Sequence, residues 1–295
     1  MTLRIKVLGA AAGGGLPQWN CGCPNCAGAR SGRLPPMTQS SIAVSADGAA
    51  WAILNASPDI RAQMSAATEL HPTGLRTSPL RAVLLTNGDI DHVAGLLTLR
   101  ESQPFDLFAT AEIHAVLAGN PMIRAVAPAV VPRRAIALDV PFELVAGLEA
   151  ELFAVPGKVP LYAEGAVVDT RLMGETTVGV RLTAHGRTAH YIPGCAAMTP
   201  ALADRLRGAG LVMFDGTVFE DDEMIATGAG VKTGARMGHM AMRDTIRAFA
   251  PLDVARRVFI HMNNTNPALD PSNPARAEVE AAGWTVAQDG MELTP

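Results

Sequence analysis

The 295-residue chain has few charged residues, no cluster of basic side chains and no long apolar run. Only 18% of its residues are charged and 48% are hydrophobic, a composition that excludes a largely disordered protein. Duplex nucleic acid is excluded as a partner, because the net charge is −4 and phosphate contacts need clustered Lys and Arg. A membrane-spanning helix needs ~18 to 20 consecutive apolar residues, and no segment approaches that length.

The beginning of the chain predicts a strand and not a targeting segment. MTLRIKVLGAAAGGG has two cations and a short apolar run that ends in glycines, which is unlike a signal peptide. We therefore expect a soluble, cytoplasmic protein. No low-complexity linker divides the sequence, so we expect one domain over residues 1–295.

Cysteines are also few, and three of the four lie in the motif CGCPNC. Cys21, Cys23 and Cys26 are too close in sequence to form comfortable disulfides, and one would remain unpaired. Three thiolates on one tight turn suit tetrahedral zinc, so we predict a zinc-binding loop near 21–26. A set of buried or loop thiols is the alternative. The fourth cysteine, Cys195, is predicted to be a small buried hydrophobic residue.

Apolar runs and helical patterns alternate along the chain. The predicted strands are LRIKVLGA, SSIAVSA, AAWAILNAS, RAVLLT, FDLFAT, ELFAVPG, VVDTRLM, TTVGVRLTAHG, RTAHYIPG, LVMFDG and RRVFIHMN. The predicted helices are PDIRAQMSAATEL, with Pro58 in its first turn, a helix that begins in DHVAGLLTLRES, and AEIHAVLAG, TPALADRLRGAG and MRDTIRAFAPL. Two strand-rich halves with helices predict a layered α/β (α+β) fold, in which paired sheets pack together with helices outside.

Polar residues of the kinds that bind metals or move protons follow the predicted strands. A rigid sheet positions the loops at its strand ends, so these residues are expected to share one site. The turn NGDIDH after RAVLLT clusters two carboxylates and an imidazole, which is typical of a cation site. The residues concerned are Asp89, Asp91, His92, Lys158, Cys195, Asp215 and His261.

The order of these motifs resembles the metallo-β-lactamase superfamily, an αββα sandwich with the signature Thr-His-x-His-x-Asp-His-x-x-Gly. The matching positions are Thr86, Asn87, Asp89, Asp91, His92 and Gly95. The superfamily's later metal histidines correspond to Lys158 and His261, and its bridging aspartate falls at Gly194-Cys195. FDGTVFEDDEM and ARMGHMAM look like the acidic and Gly-His motifs of the tRNase Z branch. Together with CxCxxC, VPGKVPLY and FIHMNNTNP, the pattern resembles, over nearly the whole chain, a family that takes part in the biosynthesis of pyrroloquinoline quinone (PQQ).

The departures from the superfamily pattern change the predicted metal chemistry. Asn87, Asp89 and Lys158 stand where three histidines would help to hold a second cation. The resemblance leaves Asp91, His92 and His261 as ligands of one catalytic metal, with Asp89 as an additional carboxylate ligand. Two histidines and one carboxylate are the pattern of non-haem iron(II) oxygenases, and zinc is the alternative metal.

The resemblance implies an iron-dependent hydroxylase that acts on the tyrosine ring of a peptide-derived Glu-Tyr precursor of PQQ. Two alternatives are a carrier that assists transport of PQQ or its precursor to the periplasm, and a zinc-dependent hydrolase. The expected partners are that small precursor and the product PQQ, with other proteins of the pathway and a homodimer left open.

The resemblance also assigns roles to residues outside the metal site. Asp215 and His239 are predicted to meet across the cleft as a proton-transfer pair. A structural hydrogen bond is the alternative for that pair. Lys158 is predicted to attract the carboxylates of an acidic substrate.

The fourth ligand of the zinc loop is predicted from related phosphodiesterases that carry CxCxxC. These proteins complete the zinc site with a histidine three positions after the last metal histidine, and this chain has Asn264 there. We therefore predict a structural zinc held by Cys21, Cys23, Cys26 and Asn264, with water as the alternative fourth ligand. Such a site would tether the first loop to the turn that bears His261.

Overall fold

The computed structural model describes residues 2–295 and contains two seven-stranded sheets. The strands are β1 (Arg4–Gly9), β2 (Ser41–Ser45), β3 (Trp51–Leu54), β4 (Leu80–Leu84), β5 (Asp106–Ala109), β6 (Arg133–Ala135), β7 (Phe142–Val145), β8 (Leu148–Ala154), β9 (Val178–Ala184), β10 (Arg187–Ile192), β11 (Leu211–Asp215), β12 (Arg256–Ile260), β13 (Trp284–Val286) and β14 (Glu292–Leu293).

The helices are α1 (Pro24–Arg30), α2 (Ile60–Ala66), α3 (Ile90–Val93), α4 (Ala111–Ala118), α5 (Pro200–Leu206), α6 (Glu223–Ala226), α7 (Gly234–Met237), α8 (Met242–Phe249) and α9 (Pro274–Ala281). Short 3-10 turns occupy Thr68–Leu70, Ala94–Leu97, Pro121–Ala125, Leu161–Ala163 and Pro267–Leu269.

Both sheets are mixed, as the predicted fold class requires. The first has the order β14-β1-β2-β3-β4-β5-β6, and the second has the order β13-β12-β11-β10-β9-β8-β7. Strands β3 to β6 are parallel to one another, and so are β10 to β13. The carboxyl ends of these parallel strands carry the loops of the candidate site.

The main core contains the inward-facing side chains of both sheets. Val44, Leu84, Leu152 and Leu182 are at most 1% exposed and belong to one apolar cluster. A second cluster, which includes Ile53, Ile60 and Ile113, lies where α2 and α4 cover the first sheet. The alternation of sheet and helix layers confirms the αββα arrangement. Because both faces of the central strands are covered, these strands read as near-continuous apolar runs.

Three sequence predictions of secondary structure are wrong. VVDTRLM (167–173) is not a strand: it lies in an excursion between β8 and β9, and Val167 is 90% exposed. The helix predicted from Asp91 is only one turn, α3, followed by a 3-10 turn. Pro58 precedes the N-cap Asp59 of α2, so it is not in the first turn, and α2 ends at Ala66 instead of continuing to Leu70.

No helix within residues 2–295 has both the length and the apolar character needed to cross a membrane.

Candidate metal centre and its surroundings

The ends of β4, β8, β10, β11 and β12 face one cavity of about 320 Å³. Residues that follow these strands line the cavity, and the long segment between β11 and α8 adds Lys232 and His239 to its wall. The lining residues include Asn87, Asp89, Asp91, His92, Lys158, Gly194, Thr217, Lys232, His239 and His261. The structure therefore brings to one place almost all the polar residues that follow the predicted strands.

Asp91, His92 and His261 form a compact group of potential metal ligands. One ligand atom of each lies within 4.8 Å of the ligand atoms of the other two. The Nε2 of His261 is 3.1 Å from Oδ2 of Asp91, and the Nε2 of His92 is 3.9 Å from the same oxygen. Two histidines and one carboxylate thus converge from α3 and from the end of β12.

Asn87 fixes the tautomer of His92. The Oδ1 of Asn87 accepts the backbone N–H of Asp89 at 3.0 Å, which sets the orientation of the amide. The same oxygen lies 2.7 Å from Nδ1 of His92, so His92 must donate from Nδ1 and keep a lone pair on Nε2. The asparagine that replaces the superfamily's first histidine therefore acts as a hydrogen-bond acceptor that orients the next ligand.

The donor set fits a divalent metal ion. The Nε2 of His92 is buried and has no hydrogen-bond partner within the described residues. Burial lowers the pKa of His92 to about 4, so the imidazole is neutral and its lone pair is available near pH 7. Burial raises the pKa of Asp91, but the electrostatic influence of the two imidazole rings beside it and a hydrogen bond with His261 more than offset this and hold the carboxyl below its usual range. An unpaired buried lone pair beside a carboxylate is the environment that a cation stabilises.

His261 is held in an unusual backbone conformation. Its φ is +58°, in the left-handed region that residues other than glycine seldom adopt. This turn immediately after β12 directs the ring toward Asp91 and His92, and the ring centroids of His92 and His261 are 5.2 Å apart. Strained backbone conformations of this kind cluster at functional sites.

Asp215 and His239 are in contact beside this group. The Nδ1 of His239 donates to Oδ2 of Asp215 at 2.7 Å, and the rings of His239 and His261 stack with centroids 5.3 Å apart. The contact leaves Nε2 of His239 as the ring atom that can exchange a proton. The predicted pairing is present as geometry, and its role in proton transfer stays a prediction.

Asp215 does not have the free oxygen lone pairs of a metal ligand. Its Oδ2 accepts from His239 and from the backbone N–H of Cys195 at 2.9 Å. Its Oδ1 accepts from the backbone N–H of Thr217 at 3.0 Å and from the Thr217 hydroxyl at 2.7 Å. Four donors saturate a carboxylate. Burial raises the pKa of Asp215, but the charge of His239 and these donors hold it below its usual value.

Asp89 lines the cavity but is not a member of the three-ligand group. Burial and the charge of Asp91 raise its pKa, as expected for a second carboxylate in a confined space. Its predicted role as an additional ligand stays a prediction. Cys195 stands at the position of the superfamily's bridging aspartate and is fully buried. A carboxylate that could bridge two metal ions is therefore absent at this position.

Lys158 is not a free cation. Its Nζ lies 3.0 Å from Glu164, whose other oxygen pairs with Arg236 at 3.0 Å. Hydrogen bonds from Arg236 and Lys158 lower the pKa of Glu164 to about 2. Glu164 therefore neutralises much of the charge with which Lys158 was predicted to attract an acidic substrate. The sequence analysis missed this partner because Glu164 lies in an irregular segment.

A second lysine, Lys232, also lines the cavity and was missed. It is half-buried, and its ammonium group forms no hydrogen bond or ion pair with residues 2–295. Lys232 lies in a glycine-rich segment shortly before the Gly-His motif. A cation so close to a motif of the site is the sequence signal from which this residue could have been predicted. Its charge makes it the better candidate for contact with a substrate carboxylate.

The three cysteines of the first loop form a second candidate metal centre. The Sγ atoms of Cys21, Cys23 and Cys26 lie within 4.8 Å of one another. The side-chain amide of Asn264 points at all three sulfurs, with Nδ2 at 3.1 Å from Cys21, 3.5 Å from Cys23 and 3.3 Å from Cys26. Rotating the amide by about 180° would present its oxygen instead, because amide O and N are interchangeable in shape. Three thiolates and one oxygen suit tetrahedral zinc.

The cysteine loop is joined to the turn after His261. The backbone N–H of Ala12 donates to Met262 at 2.8 Å, and the N–H of Met262 donates to Ala10 at 2.9 Å. In α1, Asn25 donates to the carbonyls of Asn264 at 3.0 Å and Asn266 at 2.8 Å. The two candidate metal centres therefore share one turn, as a tether between them requires.

This fold and this site define a class of protein. A β-lactamase superfamily domain matches residues 50–262. At the level of fold alone, the chain is also similar to a diphosphatase of the PhnP family, with 20% identity and a TM-score of 0.72 over 99% of this chain and 97% of that one.

Two closer relatives identify the family within this class. Coenzyme PQQ synthesis protein B of Ruegeria pomeroyi is 59% identical over 99% of both chains. The crystal structure of Zn²⁺-bound PqqB from Methylobacterium extorquens is 54% identical, with a TM-score of 0.97, over 99% of this chain and 100% of that one. The chain belongs to the coenzyme PQQ synthesis protein B family.

Proposed function

We propose that this protein acts in PQQ biosynthesis as an iron(II)-dependent oxygenase that hydroxylates the tyrosine-derived ring of a cross-linked Glu-Tyr precursor. The family supports the pathway. One observation carries the reaction class: two histidines and one carboxylate, Asp91, His92 and His261, converge next to an open cavity. Asp215, His239 and His261 form a second group of this composition, but the oxygens of Asp215 are already occupied by four donors. The second set of superfamily ligands is replaced by Asn87, which orients His92, and by Lys158, whose ammonium group has no lone pair to bind a metal ion.

The reaction is balanced without an added reductant if it proceeds to the quinone. One oxygen atom of O₂ replaces a ring hydrogen and forms a C–O bond, and the other oxygen leaves as water. The two electrons and two protons that this requires come from oxidation of the resulting catechol to the ortho-quinone. The expected stoichiometry is therefore one O₂ consumed for each quinone formed.

Asp91, His92 and His261 would hold the iron, which when bound supplies the one-electron chemistry that lets O₂ react with a closed-shell aromatic ring. His239 would take the ring proton at Nε2, while Asp215 holds the opposite nitrogen and stabilises the imidazolium. Lys232 would bind a carboxylate of the precursor at the cavity wall.

The test uses anaerobically purified protein loaded with iron(II), zinc or no metal at the catalytic site. O₂ uptake and quinone absorbance are measured with the cross-linked precursor. Only the iron-loaded protein should consume O₂, and the His92→Ala variant should lose iron and activity while it keeps the zinc of the cysteine loop. The exposed His71 provides a matched His71→Ala control that should retain both metals.

The alternatives give different results in the same set of assays. Anaerobic cleavage of a phosphodiester or ester by the zinc form, without O₂ uptake by the iron form, would identify a hydrolase and overturn the proposal. Tight binding of PQQ that survives His92→Ala, with no turnover under any metal, would identify a carrier.

A further inference from the structure

Thr217 stands at the junction of the metal-binding group and the Asp215–His239 pair. It follows β11 by two residues and is 4% exposed. Its hydroxyl oxygen lies 2.7 Å from Oδ1 of Asp215, 2.9 Å from Nδ1 of His261, 3.0 Å from the carbonyl of His261 and 3.1 Å from Nδ1 of His239.

The distribution of protons among these atoms follows from their donor and acceptor capacities. A threonine hydroxyl has one proton to donate and two lone pairs that accept. The shortest contact of the hydroxyl is with Asp215, and hydrogen bonds to an ionised acceptor are the strong ones, so the proton goes to Oδ1. His239 donates its own Nδ1 proton to the other oxygen of Asp215 at the shorter distance of 2.7 Å.

Nδ1 of His261 must then be the donor to Thr217. The hydroxyl proton is already used, so the 2.9 Å contact is a hydrogen bond only if Nδ1 carries a proton. Nε2 lies 3.1 Å from Asp91, so without a metal ion it donates a proton there, and a bound metal ion would take the place of that proton. With the other proton held on Nδ1, Nε2 is then the nitrogen whose lone pair is available to the metal. The chain Asp215–Thr217–His261 thus directs the lone pair of His261 to the place where the metal ion would be held.

We propose that Thr217 is a positioning residue that fixes the tautomer and ring orientation of His261 for metal binding. Asp215 then supports two histidines: it holds His239 by a direct hydrogen bond and His261 through Thr217. The inference rests on the metal centre of the proposed function, but not on the reaction. Outer hydrogen bonds to metal-binding histidines commonly contribute 10- to 100-fold in metal affinity, which sets the size of the expected effect.

The experiment compares four variants in the full-length protein. Thr217→Val keeps the shape of the side chain and removes the hydroxyl, and Thr217→Ser restores the hydroxyl. Thr245→Val is the matched control, because Thr245 is fully buried and its hydroxyl has no partner among the described residues. His239→Asn removes the other histidine that Asp215 holds.

Cobalt(II) is the probe, because its visible spectrum separates thiolate coordination at the cysteine loop from nitrogen and oxygen coordination at the catalytic site. We expect Thr217→Val to weaken cobalt binding at the catalytic site by about 10- to 100-fold while the thiolate signal is retained. Thr217→Ser, Thr245→Val and His239→Asn should bind within about threefold of the unmodified protein. Equal affinity in Thr217→Val and Thr245→Val would overturn the inference, and so would a loss in His239→Asn as large as in Thr217→Val.

A second measurement does not depend on any variant folding. In the zinc-loaded protein, the side-chain ¹⁵N spectrum should show His261 with a protonated Nδ1 and a metal-bound Nε2, and coordination through Nδ1 would overturn the inference. Failure of the proposed function looks different: weakened cobalt binding in Thr217→Val, together with no O₂ uptake by the iron-loaded protein, would refute the oxygenase and leave the role of Thr217 intact.

Discussion

His190 is a buried titratable group that predicts how the stability of the protein depends on pH. It lies on β10, is 4% exposed, and neither ring nitrogen has a hydrogen-bond partner within residues 2–295. Its neighbours are the ring of Phe153, with centroids 6.1 Å apart, and the positively charged Arg181 and Arg205. Burial, and then the charges of the two arginines, lower the pKa of His190 to about 4 from its ordinary value of 6.5.

The sign and size of the effect follow from these two values. Between pH 6.5 and about 4, the unfolded chain binds a proton at His190 that the folded protein does not bind. The free energy of unfolding therefore falls as the pH is lowered through this window, and it is insensitive to His190 above and below it. With about 1.4 kcal/mol for each pKa unit, the loss from this one residue is about 3 kcal/mol.

The measurement is urea denaturation of metal-free protein between pH 4 and pH 7.5 for the unmodified protein and for His190→Leu. Leucine fills a similar space and cannot be protonated, so its curve should lack the drop of about 3 kcal/mol. The exposed His71 gives the control variant His71→Gln, which should follow the unmodified protein at every pH. Parallel curves for the unmodified protein and His190→Leu would refute the reasoning.

Three further predictions concern the candidate site. Cys23→Ser should lose one equivalent of zinc, lower Tm by roughly 5–10 °C and, as a secondary effect, bind iron more weakly. The control Cys195→Ser should keep its zinc, and metal analysis and thermal melts measure both variants. Gly95→Ala should lower the free energy of unfolding by about 3 kcal/mol and reduce iron content, because the added Cβ would lie 2.1 Å from the backbone oxygen of Ser57. Lys232→Gln should raise KM for the precursor about tenfold, as loss of a charge-assisted hydrogen bond predicts, with little change in kcat, and an unchanged KM would exclude contact with the substrate.

Strands were predictable where an apolar run ends in turn residues. The runs before Asn87, Asp215 and His261 each fold as a central parallel strand with buried neighbours on both sides. The segment 167–173 has a similar apolar content, but Leu172 makes only an isolated bridge with Gly157, and a strand needs a partner for its backbone groups along its length. The short α3 has a different cause, since the backbone N–H of Gly95 donates to the carbonyl of Ala56 at 2.9 Å instead of to a helical partner, and a 3-10 turn replaces the helix there.

The candidate site was predictable as a set of residues but not as a set of hydrogen bonds. Motif positions indicate Asp91, His92 and His261, because strand ends carry them to a common edge. Nothing in the spacing indicates that Glu164 neutralises Lys158, since the two groups meet through a loop whose course depends on tertiary packing. Hydrogen-bond partners depend on angles and distances of tenths of an ångström, and sequence patterns do not encode these.

The replacement of the superfamily's first histidine by Asn87 therefore changes the role of this position from metal ligand to hydrogen-bond acceptor. An imidazole at position 87 would direct a lone pair at a second cation, whereas the amide oxygen of Asn87 is used by His92 and by the backbone of Asp89. The same cavity is lined by Asp89 and by Lys158, whose ammonium group has no lone pair to bind a second metal ion. In the proposed function, the space that a second cation would fill is left to the substrate, beside the single metal ion that Asp91, His92 and His261 would hold.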